Sequence, residues 1–217
     1  MRLVLFEPDR WARFLYPKTL AFLAILTVVL IIVSILVRSR ASYALDLKAT
    51  LGLQRSSSPF WDVVMRWFTF MGNSLTLIIL AVGSFIICYV AQDLRAATFV
   101  AISLIGLPLN VALKNSFTRQ RPGEEEVKVH PGPRWGFSYP SGHAMGSTAF
   151  YGFLATIVFL HAPNDTIRAL LMAPFILMPL FIGASRIYMG AHWLSDVIAG
   201  ITGGVIVVMM LAILYPV

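Results

Sequence analysis

Charge is scarce in this chain. Only 12% of its 217 residues are Asp, Glu, Lys or Arg, while 58% are hydrophobic. Soluble domains carry about a quarter charged residues, so that class is excluded and an integral membrane protein is implied. Cysteine is nearly missing. Cys88 stands alone inside an apolar run, which excludes an intrachain disulfide and leaves a buried thiol as its role. Acidic residues are also few, 10 against 17 basic ones, for a formal net charge of +7. The cations punctuate apolar segments and build no solvated basic face, which speaks against nucleic acid. Anionic lipid headgroups, or a site that holds an anion, account for the excess. Internal repeats and low-complexity tracts are absent.

What is present is a series of long apolar runs. Thr19 to Val37 carries no charge and is long enough to cross a bilayer. Ser42-Tyr43-Ala44 beyond it has the look of a signal-peptidase site, but the run exceeds a usual signal core, so it predicts an uncleaved first helix. Met71 to Gln92, Ala96 to Leu113, Ala144 to Leu160, Ala169 to Ser185 and Trp193 to Leu214 follow. Pro174 and Pro179 predict kinks in the fifth run, which membrane helices tolerate. Gly200 and Gly204 form a GxxxG pair that predicts close helix packing. Between the first two runs, Phe60, Trp61, Val64, Trp67 and Phe68 recur at helical spacing, as in segments that lie at the headgroups. The expectation is an all-α integral membrane bundle of six transmembrane helices, one domain over residues 1–217, with one or two short interfacial helices after the first.

Three polar groups stand where apolar runs meet one face of such a bundle. The first is Lys114 with Arg121-Pro122. A third helix continued past Leu113 would put both cations on one face, ending near Arg121 because a proline follows it. Snorkelling membrane anchors would look the same. The second is Pro140-Ser141-Gly142-His143, ahead of an apolar run. It reads as a helix start with Ser141 as N-cap, and helix N-termini bind anions. A structural cap beside a surface histidine is the plain alternative. The third is Ser185-Arg186, His192 and Asp196. His192 and Asp196, four residues apart at a helix start, stack on one face, so the carboxylate can fix the imidazole tautomer and leave the other nitrogen a free lone pair. A capping pair is the plain alternative, although ionisable residues inside membrane runs are costly and usually functional.

Three cations, a helix N-terminus, two histidines and one carboxylate suit a dianionic phosphate better than a metal ion. The combination Lys114-x6-Arg121-Pro122, Pro140-Ser141-Gly142-His143 and Ser185-Arg186-x5-His192-x3-Asp196 resembles the three-part signature of the type 2 phosphatidic acid phosphatase family, which also includes vanadium-dependent haloperoxidases. The motifs cover a small part of the chain, and the six-run layout resembles the membrane branch.

The resemblance implies a membrane phosphatase that removes the terminal phosphate of a lipid phosphate or diphosphate, such as phosphatidylglycerophosphate, undecaprenyl diphosphate or phosphatidic acid. It implies His192 as the nucleophile that becomes phosphohistidine, Asp196 as its orienter and His143 as general acid. Lys114, Arg121 and Arg186 would clamp the phosphate, helped by Ser141 and the Gly142 backbone. It implies no metal and no cofactor, and a membrane lipid in the bilayer as partner. A phosphotransferase with the same residues, or a lipid-binding protein without catalysis, are the alternatives. The resemblance also places the protein in the bacterial inner membrane with its site on the extracytoplasmic side. The charge rule taken literally points the other way. Six cations (Arg2, Arg10, Arg13, Lys18, Arg95 and Arg168) fall on the side of the termini, and the other 11 of 17 fall with the long loop.

Outside the motifs, His130 and His161 read as loop and turn residues, with His130 able to touch a headgroup. Arg119 reads as interfacial and Glu124 to Glu126 as a solvated loop. Trp135, Phe137 and Tyr139 read as belt or packing aromatics near the lipid entrance. Asn110, one turn before Lys114, reads as either a support for the site or a helix-packing polar residue.

Overall fold

A computed structural model describes residues 8–132, 134 and 136–215; Trp135 lies outside the described residues. The described residues form α-helices and no strand: α1 (Pro8–Arg38), α2 (Tyr43–Gln54), α3 (Pro59–Met71), α4 (Ser74–Val90), α5 (Leu94–Ser103), α6 (Gly106–Lys114), α7 (Gly142–His161), α8 (Asp165–Tyr188) and α9 (Leu194–Leu214). Five stretches are long and apolar enough to cross a membrane, and α3 with α4 makes a sixth if the bent pair is one span. The all-α membrane bundle expected from the sequence is present, with α2 and α3 as the two short helices after the first span.

Two apolar runs differ from expectation. The second does not extend from Met71 to Gln92 as one rod. It is α4 alone, joined to α3 by a 58° bend at Gly72-Asn73. Asn73 caps α4 by accepting the Leu75 N–H at 2.9 Å, and a side chain at Gly72 would collide with Ile182 of α8. The third run is broken at Leu104-Ile105. Pro108 has no N–H to give the Leu104 carbonyl, so that oxygen takes the Leu107 N–H at 2.9 Å instead, and a tight turn divides α5 from α6. By contrast, α8 runs as one helix through Pro174 and Pro179.

α7 is the axis of the bundle. Its residues from Ala144 to Tyr151 are all buried, whereas α1 between residues 17 and 38 exposes most of its apolar side chains, as a lipid-facing span would. The GxxxG pair sets the closest approach. A Cβ at Gly200 would lie 2.6 Å from the Ser141 carbonyl oxygen, and one at Gly204 would lie 2.8 Å from that of Met145. Only glycine lets α9 pack this near α7. That contact fixes the N-terminus of α9 beside that of α7. Leu77, Val100, Phe150, Phe153, Ile182 and Val207 fill the core below.

The segment from Asn115 to Pro140 lies over this end of the bundle and is tied down by specific bonds. Gln54 of α2 donates to the carbonyls of Lys128 and Tyr188 at 2.7 and 2.8 Å. The His130 N–H reaches the Met189 carbonyl at 3.1 Å. Buried Tyr139 bonds Ser34 of α1 through its hydroxyl at 2.7 Å and packs on Phe117, their ring centroids 4.7 Å apart.

Candidate active site

The three polar groups meet at one pole, although not by the route the spacing suggested. α6 ends at Lys114, so Lys114 and Arg121 do not share a helical face. The chain turns at Asn115 and Ser116 and then leaves regular structure. Two contacts hold it so: the Arg119 carbonyl accepts the Ser138 N–H at 2.8 Å, and the Arg119 guanidinium inserts between Asp46 and Asp196. Arg121 arrives from this irregular segment. It donates to the Ala191 carbonyl at 2.7 Å and to that of Gly136 at 3.1 Å, and its Nη1 lies 3.2 Å from His192 Nε2.

His192 is delivered by the turn that ends α8. The N–H groups of Ala191 and His192 both reach the Arg186 carbonyl, at 3.0 and 3.2 Å. Gly190 makes the reversal possible with φ of +64°, and a Cβ there would lie 2.5 Å from the Lys128 carbonyl oxygen. Trp193 then caps α9, with its N–H held by Asp196 Oδ2 at 2.8 Å. His192 precedes the N-cap and lies outside α9, so the pair does not stack on one helical face as the spacing suggested, yet Nδ1 still comes 3.6 Å from Asp196 Oδ2. Ser138 stands between them: its hydroxyl donates to Asp196 Oδ2, and its oxygen lies 3.5 Å from His192 Nδ1.

Arginine only donates hydrogen bonds. His192 Nε2 therefore presents its lone pair to Arg121, and the ring proton sits on Nδ1 towards Asp196 and Ser138. Burial pushes the His192 imidazole down to about 3. Asp196 pulls the other way, and Arg121 and Arg186 add to the depression. The ring is neutral near pH 7, with its lone pair turned into the cationic pole.

Ser141 is the N-cap of α7, its Oγ accepting the Ala144 N–H at 3.5 Å, as the sequence predicted. A Cβ at Gly142 would lie 2.8 Å from Asn110 Oδ1, so packing alone already demands glycine there. Asn110 is buried and supports the motif, donating to the Pro140 carbonyl at 3.1 Å. His143 follows on α7, within electrostatic reach of Arg186, His192, Lys114 and Arg121. Arg186 is buried near the end of α8. Its Nη1 lies 3.4 Å from the Thr69 hydroxyl, and its Nε has no acceptor among the described residues. A buried guanidinium N–H without an acceptor is costly; an anionic oxygen would satisfy it. All eight residues singled out in the sequence thus gather at one pole.

The sequence missed some neighbours. Arg119 is not an interfacial cation: it bonds Asp196 Oδ1 and Asp46 Oδ2, each at 2.6 Å. Ser138, the contact between His192 and Asp196, carried no sequence signal. Arg134 is a further cation within reach of Arg121 and Arg186. His130 lies in the loop, as expected, but is not open to a headgroup. It is buried, stacked on Tyr188 with centroids 5.3 Å apart, and its Nδ1 lies 3.8 Å from Asp62. Glu126 of the acidic run accepts the Tyr43 hydroxyl at 2.6 Å.

The profile of the PAP2 superfamily matches residues 94–216, which include all three motifs. The chain belongs to the PAP2 superfamily. Among curated members, it is 30% identical to phosphatidylglycerophosphatase B of Bacillus subtilis (strain 168) over 99 residues, which is 45% of this chain and 47% of that protein. It is 33% identical to a decaprenylphosphoryl-5-phosphoribose phosphatase of Mycolicibacterium smegmatis over 90 residues, 42% of this chain and 43% of that protein. The chain spans about half the length of the curated relatives it matches. The fold resembles the crystal structure of a transmembrane PAP2-type phosphatidylglycerolphosphate phosphatase from Bacillus subtilis, with TM-score 0.79 at 21% identity over 88% of this chain and 94% of that one. It also resembles Aquifex aeolicus LpxE, with TM-score 0.60 at 25% identity over 77% and 94% of the two chains. This PAP2 chain is an integral membrane protein by fold and composition.

Proposed function

We propose that the protein is a membrane lipid phosphatase that hydrolyses the terminal phosphate of a lipid phosphate or diphosphate through a phosphohistidine on His192. The observation that carries this is His192 itself: a neutral ring, its Nδ1 backed by Ser138 and Asp196, its Nε2 lone pair facing Arg121. Names borne by relatives support the substrate class, since both curated matches are phosphatases of phosphorylated lipids.

The geometry supports the following steps. Lys114, Arg121 and Arg186 bind the phosphate oxygens, the guanidinium of Arg186 through its Nε, which has no acceptor among the described residues. The helix N-terminus at Ser141-Gly142 adds backbone N–H groups. Binding draws Arg121 from His192 Nε2, whose lone pair attacks phosphorus. The bond to the lipid oxygen breaks, and protonated His143 gives its proton to that oxygen. The His192 imidazole, now phosphorylated and cationic, is stabilised by Asp196. Water then attacks phosphorus, giving a proton to His143. The P–N bond breaks, its electrons return to Nε2, and inorganic phosphate leaves. The arginines and lysine hold the charge on the equatorial oxygens in both steps. No metal or cofactor takes part. By the same family likeness, the site faces the extracytoplasmic side of a bacterial inner membrane.

The test is phosphate release by detergent-purified protein in EDTA, run beside His192→Ala. The panel holds phosphatidic acid, phosphatidylglycerophosphate, undecaprenyl monophosphate and diphosphate, and a soluble phosphate ester. Release that needs His192 and survives EDTA is expected. Loss with EDTA and rescue by a divalent ion would overturn the metal-free mechanism. Transfer to an acceptor other than water would make the protein a phosphotransferase. Binding without turnover would make it a lipid-binding protein.

A further inference from the structure

Behind Asp196, away from His192, lies an ionic bridge that no step above uses. Arg119 Nη1 donates to Asp196 Oδ1 at 2.6 Å and to the Ser195 hydroxyl at 2.7 Å. Its Nη2 donates to Asp46 Oδ2 at 2.6 Å. Asp46, on α2, also accepts the Ser195 N–H and hydroxyl, each at 2.8 Å, so it serves as a second cap on α9. The side chains of Asp46 and Asp196 are 1% and 0% exposed, and that of Arg119 only 13%. Two buried carboxylates at one helix end repel each other unless a cation stands between them.

We propose that Arg119 and Asp46 are positioning residues for the His192–Asp196 pair: the guanidinium fixes where the Asp196 carboxylate sits, and Asp46 limits how much of its charge the guanidinium takes. This rests on His192 as nucleophile. The two oxygens of Asp196 divide the work. Oδ2 faces His192 and takes the Ser138 hydroxyl and the Trp193 N–H. Oδ1 faces Arg119. A guanidinium bound to Asp196 alone would drain charge from Oδ2 and weaken its hold on the His192 Nδ1 proton. Sharing the same guanidinium with Asp46 leaves Asp196 more of its charge. The arrangement needs arginine, because a planar fork can serve both carboxylates and the hydroxyl at once. The guanidinium carbon lies 5.9 Å from the centroid of the Trp193 ring, a further constraint on its place.

The test uses full-length protein in detergent with ¹⁵N-labelled histidine. It compares wild type with Arg119→Gln, Arg119→Lys and Asp46→Asn. The His192 Nδ1–H resonance is assigned by its loss in His192→Gln and read at pH 7. It should move downfield in Arg119→Gln, where Asp196 keeps its full charge. It should move upfield in Asp46→Asn, where Arg119 falls to Asp196 alone. In the same samples kcat should drop on the order of tenfold, the usual cost of an outer hydrogen-bond partner, with KM within about twofold of wild type. Arg119→Lys keeps the charge but not the fork, so it should lower kcat while displacing the resonance less than Arg119→Gln. Folded variants with unmoved resonance and unchanged kcat would overturn the proposal and leave the bridge a mere tie between helices. A raised KM at constant kcat would also overturn it, by putting Arg119 on the substrate. Opposite displacements in protein that releases no phosphate would uphold the bridge and sink the phosphatase function instead.

Discussion

The two sides of His192 are built on opposite principles. Behind Nδ1, the polar groups are saturated. Asp196 accepts from Arg119, Ser138 and the Trp193 backbone, and Asp46 accepts from Arg119 and Ser195. In front of Nε2, cations gather, and the Arg186 Nε has no acceptor among the described residues. A saturated rear gives rigidity, since each buried bond would be costly to break. A cation-rich front is costly by itself and becomes favourable when an anion enters. The stability of this pole is therefore gathered on one side of a single ring, and its affinity on the other.

The contrast can be broken by mutation, and the largest effect belongs to the ring itself. His192→Ala should lower phosphate release by about a thousandfold or more, as expected when a covalent nucleophile is lost, with fold and lipid binding retained. Activity near wild type would remove the nucleophile assignment. On the front, Arg186→Gln should weaken inhibition by vanadate, a mimic of the transferring phosphoryl group, by on the order of a hundredfold, the cost of losing charge-assisted hydrogen bonds. An unchanged inhibition constant would take Arg186 off the phosphate. On the rear, Ser138→Ala should reduce kcat by about tenfold and leave vanadate affinity within about twofold. A vanadate effect as large as that of Arg186→Gln would erase the distinction between the sides.

Protonation gives a smaller signature. The unfolded His192 ring gains its proton near its ordinary 6.5 and the folded one only near 3. Between those values the unfolded chain binds more protons, so stability is full above pH 6.5 and is lost as pH falls towards 3. The maximal slope is about 1.4 kcal/mol per pH unit. The thermal midpoint should fall by several degrees from pH 7 to 5, and His192→Gln should flatten that fall. An identical profile in the variant would mean that the ring is not held neutral. The smallest effect is expected at the exposed Tyr43–Glu126 contact: Tyr43→Phe should change stability by less than about 0.5 kcal/mol and activity by less than about twofold.

The motif residues were legible because spacing carries them. His192 and Asp196 stand four residues apart around the start of α9, Ser141 stands before an apolar run, and the Gly200–Gly204 spacing announced a close helix contact, which proved to be with α7. Arg119 was not legible, since its two carboxylate partners lie 73 and 77 residues away along the chain. Nothing local separates it from a membrane anchor. Lys114 and Arg121 were rightly joined but wrongly placed on one helix. The chain leaves the helix to bring Arg119 between its partners, and a helical period cannot register a tertiary demand of that kind. The break between α5 and α6 was in principle readable from Pro108, whose missing N–H falls within an otherwise continuous run. The need for glycine at position 72 was harder to read, because the side chain that crowds it, Ile182, is distant in the chain.

Asp46 binds the N–H of Ser195 across 149 residues of chain, and this has a consequence for how the protein is made. A chain synthesised from its N-terminus offers Asp46 and Arg119 to each other while residue 195 is still unmade. The orienting carboxylate and the histidine beside it come with the last span and dock onto a half already waiting. On the proposed mechanism, a protein stalled partway through membrane insertion would hold cations for a phosphate but lack the nucleophile to act on it. Competence against lipids is thus tied to completion of the bundle.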